Sequence, residues 1–345
     1  MNTVRMRLLP FLLFVPFILT SQPSDFFEEG RKLHAVGNYA DALSYYKMAI
    51  VDAPSHEAAI FNHALCALEL NKMKVVEKDV ERLIEINPNN MEMLEWRGNL
   101  RMKNEDWVGA ISDFTSVLER EEIYEARLNR AVAYLETDQI DFAATNLNKL
   151  ESFAPNSNSA RLNAVFGDYF LKIGNAPQAL AKYQESLADE PNNAIVLNNC
   201  GLIHTKSENY EAAIPFFEKA FQMGSDPQIH ANLIMAYLKN GDLENAAASS
   251  KSFMLAHHDE PLAYYAQGMV HFENKQFSLA IEEFSQAIDL ESDFVDACLM
   301  RGKSCLRLEL TAAAIEDFEK ILELEPENAE AKLLLEKYEI DALKN

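Results

Sequence analysis

Residues 261–294 read PLAYYAQGMVHFENKQFSLAIEEFSQAIDLESDF, and residues 295–328 read VDACLMRGKSCLRLELTAAAIEDFEKILELEPEN. Aligned end to end, the two stretches carry glycine at the eighth position (Gly268, Gly302), alanine at the twentieth (Ala280, Ala314) and phenylalanine four residues later (Phe284, Phe318). Working outward, the alanine step returns as Ala42/Tyr46, Val76/Val80, Ala110/Phe114, Ala143/Leu147, Ala179/Tyr183 and Ala213/Phe217. The small residue twelve places earlier returns as Gly30, Ala64, Gly98, Ala131, Gly167 and Gly201. One copy breaks both marks, with Ile234 at the small position and Ser250 at the large one. Proline closes several copies, at Pro54, Pro88, Pro155, Pro191 and Pro326.

Composition agrees with a helical chain. Hydrophobic residues are 48% and charged residues 25% of 345, a balance that folds. Only 11 Gly and 12 Pro are present, too few turn formers for an all-β sandwich or barrel. The formal charge of -23 sets the molecule against phosphate backbones and anionic lipid surfaces, so nucleic acid is not an expected partner.

These marks resemble the tetratricopeptide repeat, whose pattern is W-x2-L-G-x2-Y, A-x3-F and P on a period of about 34 residues. The resemblance implies an all-α fold, a right-handed α-solenoid superhelix of about nine helix pairs. It divides the chain into units at 23–56, 57–90, 91–123, 124–157, 160–193, 194–226, 227–260, 261–294 and 295–328. Each unit is then two antiparallel helices, with the small residue of the first letting the second approach closely. Proline stops the second helix because it lacks an amide hydrogen and restricts the residue before it. A single pair cannot bury its apolar face, so neighbours stack, and the end of the stack needs a cover. Residues 329–345, with Leu333, Leu334, Leu335 and Tyr338, are read as a capping helix and tail. Polar residues at the fourth position, Arg127, Asn163 and His230, mark the fourth, fifth and seventh units as the softest, and the odd unit lengths place kinks near 123, 158 and 226.

At the other end, Arg5 and Arg7 precede the apolar run LLPFLLFVPFILT, too short for a membrane span and of the form of a signal peptide over residues 1–21. The expected mature chain has no transmembrane segment and is exported, to the periplasm or the cell exterior.

Chemistry-bearing motifs are sparse. The chain has no H-E-x-x-H, C-x-x-C, G-x-S-x-G or phosphate-loop sequence, and the units leave no room for a catalytic domain. No enzyme activity, cofactor or metal is expected. Cys66, Cys200, Cys298 and Cys305 all fall in first helices and read as small buried hydrophobes. Cys298 and Cys305, seven apart on one helix, are separated by roughly 10 Å of rise and cannot pair.

The expected site is a concave groove lined by first helices, which the family resemblance implies. At the sixth position stand Asn62, Asn129, Asn199 and Asn232. An amide donates and accepts, so such a row can pair with the backbone of an extended peptide. It resembles the asparagine ladder in the repeat region of O-linked N-acetylglucosamine transferase; the other reading is that asparagine is simply common at this position. Trp96, with Phe61, Tyr265 and Phe272, either anchors apolar side chains in the groove or packs between neighbouring first helices. Arg97, Arg101 and Arg161 are the groove cations, giving a neutral to basic floor suited to carboxylates. The lysine and asparagine of the chaperone-tail clamp are absent, Phe27 and Arg31 standing in their places in the first unit. The function expected is a monomeric, non-enzymatic scaffold for a protein or peptide segment. The alternatives are an enzyme for peptide or carbohydrate with its site inside the repeats, and a self-associating structural protein.

Overall fold

The computed structural model of the chain describes residues 25–153, 159–224 and 226–342, so the expected signal peptide and the kinks near 158 and 226 lie wholly or partly outside it. Among the described residues all regular structure is helical. The helices run in pairs: α1 (Asp25–Ala35) with α2 (Tyr39–Asp52), α3 (Glu57–Glu69) with α4 (Met73–Ile86), α5 (Met91–Lys103) with α6 (Trp107–Leu118), and α7 (Tyr124–Glu136) with α8 (Ile140–Phe153). There follow α9 (Ala160–Lys172) and α10 (Ala176–Asp189), α11 (Ala194–Lys206) and α12 (Tyr210–Met223), and α13 (Pro227–Lys239) and α14 (Leu243–Ala256). The last pairs are α15 (Pro261–Glu273) with α16 (Phe277–Leu290) and α17 (Val295–Arg307) with α18 (Thr311–Leu324), after which α19 (Ala329–Ala342) packs on α18.

Contacts divide the chain into two compact units, one ending at Ala179 and the other beginning at Leu180, inside α10. Consecutive helices pack together from α1 to α9 in the first and from α11 to α19 in the second, and odd-numbered helices also touch: α5 with α7 and α7 with α9 in the first unit, α11 with α13, α13 with α15 and α15 with α17 in the second. Odd helices therefore form an inner row in each unit, and the even helices stand outside it.

Local chemistry fixes the helix ends. Asn90, Asp106, Asn193, Asn209 and Asp242 accept backbone N–H groups at helix starts, which satisfies donors that have no partner within the helix. Every turn inside a pair needs one residue with positive φ. Gly37, Gly174 and Gly241 supply it without strain, while Asn71, Glu105, Asp138, Glu208, Lys275 and Glu309 are held there by the two helices they join.

The core is a chain of small-on-large contacts. A Cβ added at Gly98 would sit 2.7 Å from the ring of Phe114, and one at Gly268 would sit 2.6 Å from Phe284. Ala64 and Ala131 face the smaller Val80 and Leu147 at the same spacing, and all four are fully buried. The break in the seventh pair is an exchange of sizes: Ile234 and Ser250 are both at 0% exposure, the large side chain now on the first helix and the small one on the second. Arg127, Asn163 and His230, expected to loosen their units, are buried at 5%, 4% and 1% exposure.

Candidate functional site: the inner rows

In the first unit the inner row exposes parts of Phe61, Leu65 and Leu68 on α3, Asn99 and Met102 on α5 and Val132 on α7. Asn62 turns its amide back on its own helix, Nδ2 donating to the Ala58 carbonyl at 2.7 Å. Asn129 is spent inside the row: its Nδ2 donates to Asn99 Oδ1 at 2.6 Å, its Oδ1 accepts from Arg161, and only 6% of it is exposed. Arg161 also pairs with Glu125, so the cation and both amides form one chain of bonds across α5, α7 and α9.

In the second unit Asn199 donates to the Tyr183 hydroxyl at 3.2 Å. Asn232 donates to Asn198 Oδ1 at 3.0 Å and accepts from Gln228 Nε2 at 3.2 Å. Beside these amides Ile195 and Leu202 of α11 stand 56% and 41% exposed, with Met235, Leu262, Phe272 and Met300 partly exposed along the following odd helices. The inner row is here an apolar strip edged by amides.

Of the two readings of Trp96, the groove anchor is corrected and the packing between first helices holds: at 7% exposure it packs edge-on against Phe61, ring centres 5.9 Å apart, between α3 and α5. The expectation for the cations is corrected as well. Arg97 and Arg101 do not face the inner row. Both reach across their own helix pair to Asp113, Arg97 through Nε and Nη2 at 2.9 and 2.7 Å and Arg101 through Nη1 at 2.7 Å. The basic floor is absent from α5, where Glu92 and Glu95 occupy the inner positions. Burial pushes both carboxyl groups up, and Glu125 and Glu92 add to the effect on Glu95.

Two features escaped the sequence reading. The first is a polar pair one residue ahead of four of the small-on-large contacts: His63 and Asp79, Arg97 and Asp113, Arg130 and Asn146, Arg301 and Asp317, each 16 residues apart. A basic residue followed 16 later by Asp or Asn was the available signal. The second is a cluster of tilted rings in the second unit, where His230 lies 4.2 Å from Phe221 and 4.5 Å from Phe253 by ring centres.

His230 carries a pH dependence. Burial, then the neighbouring His257, holds its pKa down to about 4, against 6.5 for a free imidazole. The folded state therefore favours the neutral ring. Stability from this site is complete above about pH 6.5 and is lost as pH falls from there towards 4, by about 3 kcal/mol in total. His230→Phe should flatten the midpoint of urea unfolding across that window. An unchanged slope in the variant would show that other groups cause it.

The helix-pair stack defines the class, an all-α solenoid suited to protein–protein interaction. Profiles of the tetratricopeptide repeat match residues 165–228, 231–293 and 295–328, and the chain belongs to the tetratricopeptide-repeat superfamily. Mouse DnaJ homolog subfamily C member 7 is 22% identical over 94% of this chain and 71% of its own length. The human mitochondrial import receptor subunit TOM70 is 23% identical over 88% of this chain, which spans about half (52%) of that receptor. A tetratricopeptide repeat protein from Parabacteroides merdae superposes with a TM-score of 0.57 at 15% identity, over 72% of this chain and 98% of that one, which shows the fold alone. Among the described residues no helix is long and apolar enough to cross a membrane, and no cluster of His, Cys, Asp and Glu is arranged to hold a metal ion. The four cysteines are free and buried, and burial pushes their thiols up, to about 12 at Cys200.

Proposed function

We propose that the protein is a non-enzymatic, exported scaffold that holds an extended segment of a partner protein along an inner row. The observation that carries this is the strip on α11 and the odd helices after it, where exposed Ile195 and Leu202 lie beside Asn198, Asn199 and Asn232. Apolar side chains of a segment would cover the strip while the amides exchange their present bonds for its backbone, so neither partner buries an unpaired polar group. An interface of ordinary size needs only three or four repeats. Export to the periplasm or cell exterior, and a monomeric state, complete the reading; the run at residues 8–20 supports the first.

The test places a photo-crosslinking residue at Leu202 in the living cell. A discrete captured polypeptide is expected, with capture reduced about tenfold or more by Ile195→Asp together with Asn232→Ala. Leu255, 78% exposed on the even helix α14, is the control position. Equal capture from Leu202 and Leu255 would refute the inner-row reading. N-terminal sequencing of the protein recovered outside the cytoplasm reads the export claim separately.

A further inference from the structure

The polar pair spaced at 16 residues changes its acceptor in one place. In the third and ninth helix pairs the acceptor is a carboxylate that takes the guanidinium edge in two bonds, Asp113 from Arg97 and Asp317 from Arg301. In the fourth pair Asn146 stands there, 3% exposed. Its single Oδ1 accepts from Arg130 Nε and Nη2 at 3.1 and 2.9 Å and from Arg127 Nη1 at 3.2 Å. The amide is held in that sense because its Nδ2 donates to the Phe142 carbonyl at 2.7 Å.

Of the cations gathered there, Arg127 and Lys149 are both paired with Glu122, whose carboxyl they hold down at about 2. Arg130 has no such partner. Its remaining hydrogen bond is Nη1 donating to the Thr115 hydroxyl at 3.1 Å, and it forms no ion pair among the described residues. Glu122 and Glu119 act on it only through space. Burial and the charge of Arg127 pull its pKa down, as expected for a cation without a counter-charge. A half-buried guanidinium facing an amide is costly unless something anionic completes it.

The surroundings point the same way. In the ninth pair the cleft at this place is about 440 Å³ and is lined by Ser285, Arg301, Glu316, Asp317 and Lys320 among others. The corresponding residues in the fourth pair are Thr115, Arg130, Thr145, Asn146 and Lys149. The hydroxyl, the arginine and the lysine are kept, and both acids have become neutral. Tyr134, stacked on Phe142 at 5.3 Å and 5.9 Å from the Arg130 guanidinium carbon, forms one wall.

We infer that the place between α6, α7 and α8 that corresponds to the cleft of the ninth pair is an oxyanion site that takes a carboxylate or phosphoryl group, with Arg130 as its anchor; the hydroxyls of Thr115 and Thr145 donate instead to the Ile111 and Asp141 carbonyls at 2.7 and 2.9 Å. Its lining comes largely from even helices, so it does not depend on the inner-row reading. The anion is either free in solution or carried on an acidic or phosphorylated side chain of a bound protein.

The experiment uses the whole protein and two probes, inorganic phosphate and a short peptide bearing one phosphoserine. Thermal melting in sodium phosphate is compared with sodium chloride at equal ionic strength, and calorimetry measures binding directly. Phosphate should raise the melting temperature by about 2–4 °C. Asn146→Asp, which supplies internally the carboxylate that the third and ninth pairs possess, should melt higher than wild type in chloride and lose the phosphate response. Arg130→Gln should lose the response as well, and calorimetry on that variant keeps the test open should Asn146→Asp fold poorly. Binding of the phosphopeptide about tenfold tighter than phosphate assigns the anion to a protein side chain, and equal binding assigns it to a free anion. No phosphate response in wild type, or the same response in wild type and Asn146→Asp, overturns the site.

Discussion

Ile234→Gly and Ser250→Phe are each expected to destabilise the protein strongly, and together to restore most of what each loses. Ile234 is fully buried in the seventh pair, so glycine there removes a whole aliphatic side chain and loosens a helix interior, a loss of about 4 kcal/mol. Ser250 is also at 0% exposure, and a phenylalanine forced against Ile234 overfills the contact by about 2–3 kcal/mol. The double variant recreates the contact that Gly268 makes with Phe284, where the ring lies within 2.6 Å of the place a Cβ would take. It should come within about 1 kcal/mol of wild type, a coupling large even for residues in direct contact. Urea unfolding followed by far-UV circular dichroism measures all four corners of the cycle. Additive losses would mean that the two positions do not share one space and that the seventh pair is packed on another principle.

How much of this was legible in the sequence follows from what each signal depends on. Gly98, Ala110 and Phe114 mark a close helix crossing because size is a property of a residue alone, so the pairs and their stacking could be read from spacing. The exchange of Ile234 and Ser250 looked like two weak marks, since compensation is a property of two residues and appears only when their contact is known. Arg97 and Arg101 misled for the same reason. A first helix carries cations on two faces, and nothing in its own period tells which face meets Asp113 on the second helix. Trp96 sat at a position the family resemblance turns inward, yet its ring is large enough to reach Phe61 on the neighbouring first helix and leave the surface. The asparagines show in the sequence only as a spacing, which does not carry their bonds: Asn129 pairs with Asn99 and Asn232 with Asn198, partners one unit back that no single-unit pattern contains.

Asp113→Ala should be the most damaging single change among the polar residues of the first unit. The carboxylate is 3% exposed and accepts three bonds, two from Arg97 and one from Arg101, whose side chains are 19% and 28% exposed. Removing it leaves two guanidiniums facing each other with only the half-exposed carboxylates of Glu81, 2.9 Å from Arg97, and Asp106, 3.5 Å from Arg101, as counter-charges, and the loss should be about 3 kcal/mol. Most of that is the stranded charge, not the net worth of the network, because taking three ionised groups out of water already offsets much of their attraction. The triple variant Arg97→Met, Arg101→Leu, Asp113→Leu removes the charges together and fills the space with apolar atoms, and it should unfold within about 1–2 kcal/mol of wild type. The contrast between the single and the triple variant is what identifies the cause. A triple variant as unstable as Asp113→Ala would show that the bonds themselves hold α5 against α6, and that the polar pairs spaced at 16 residues stabilise the stack directly.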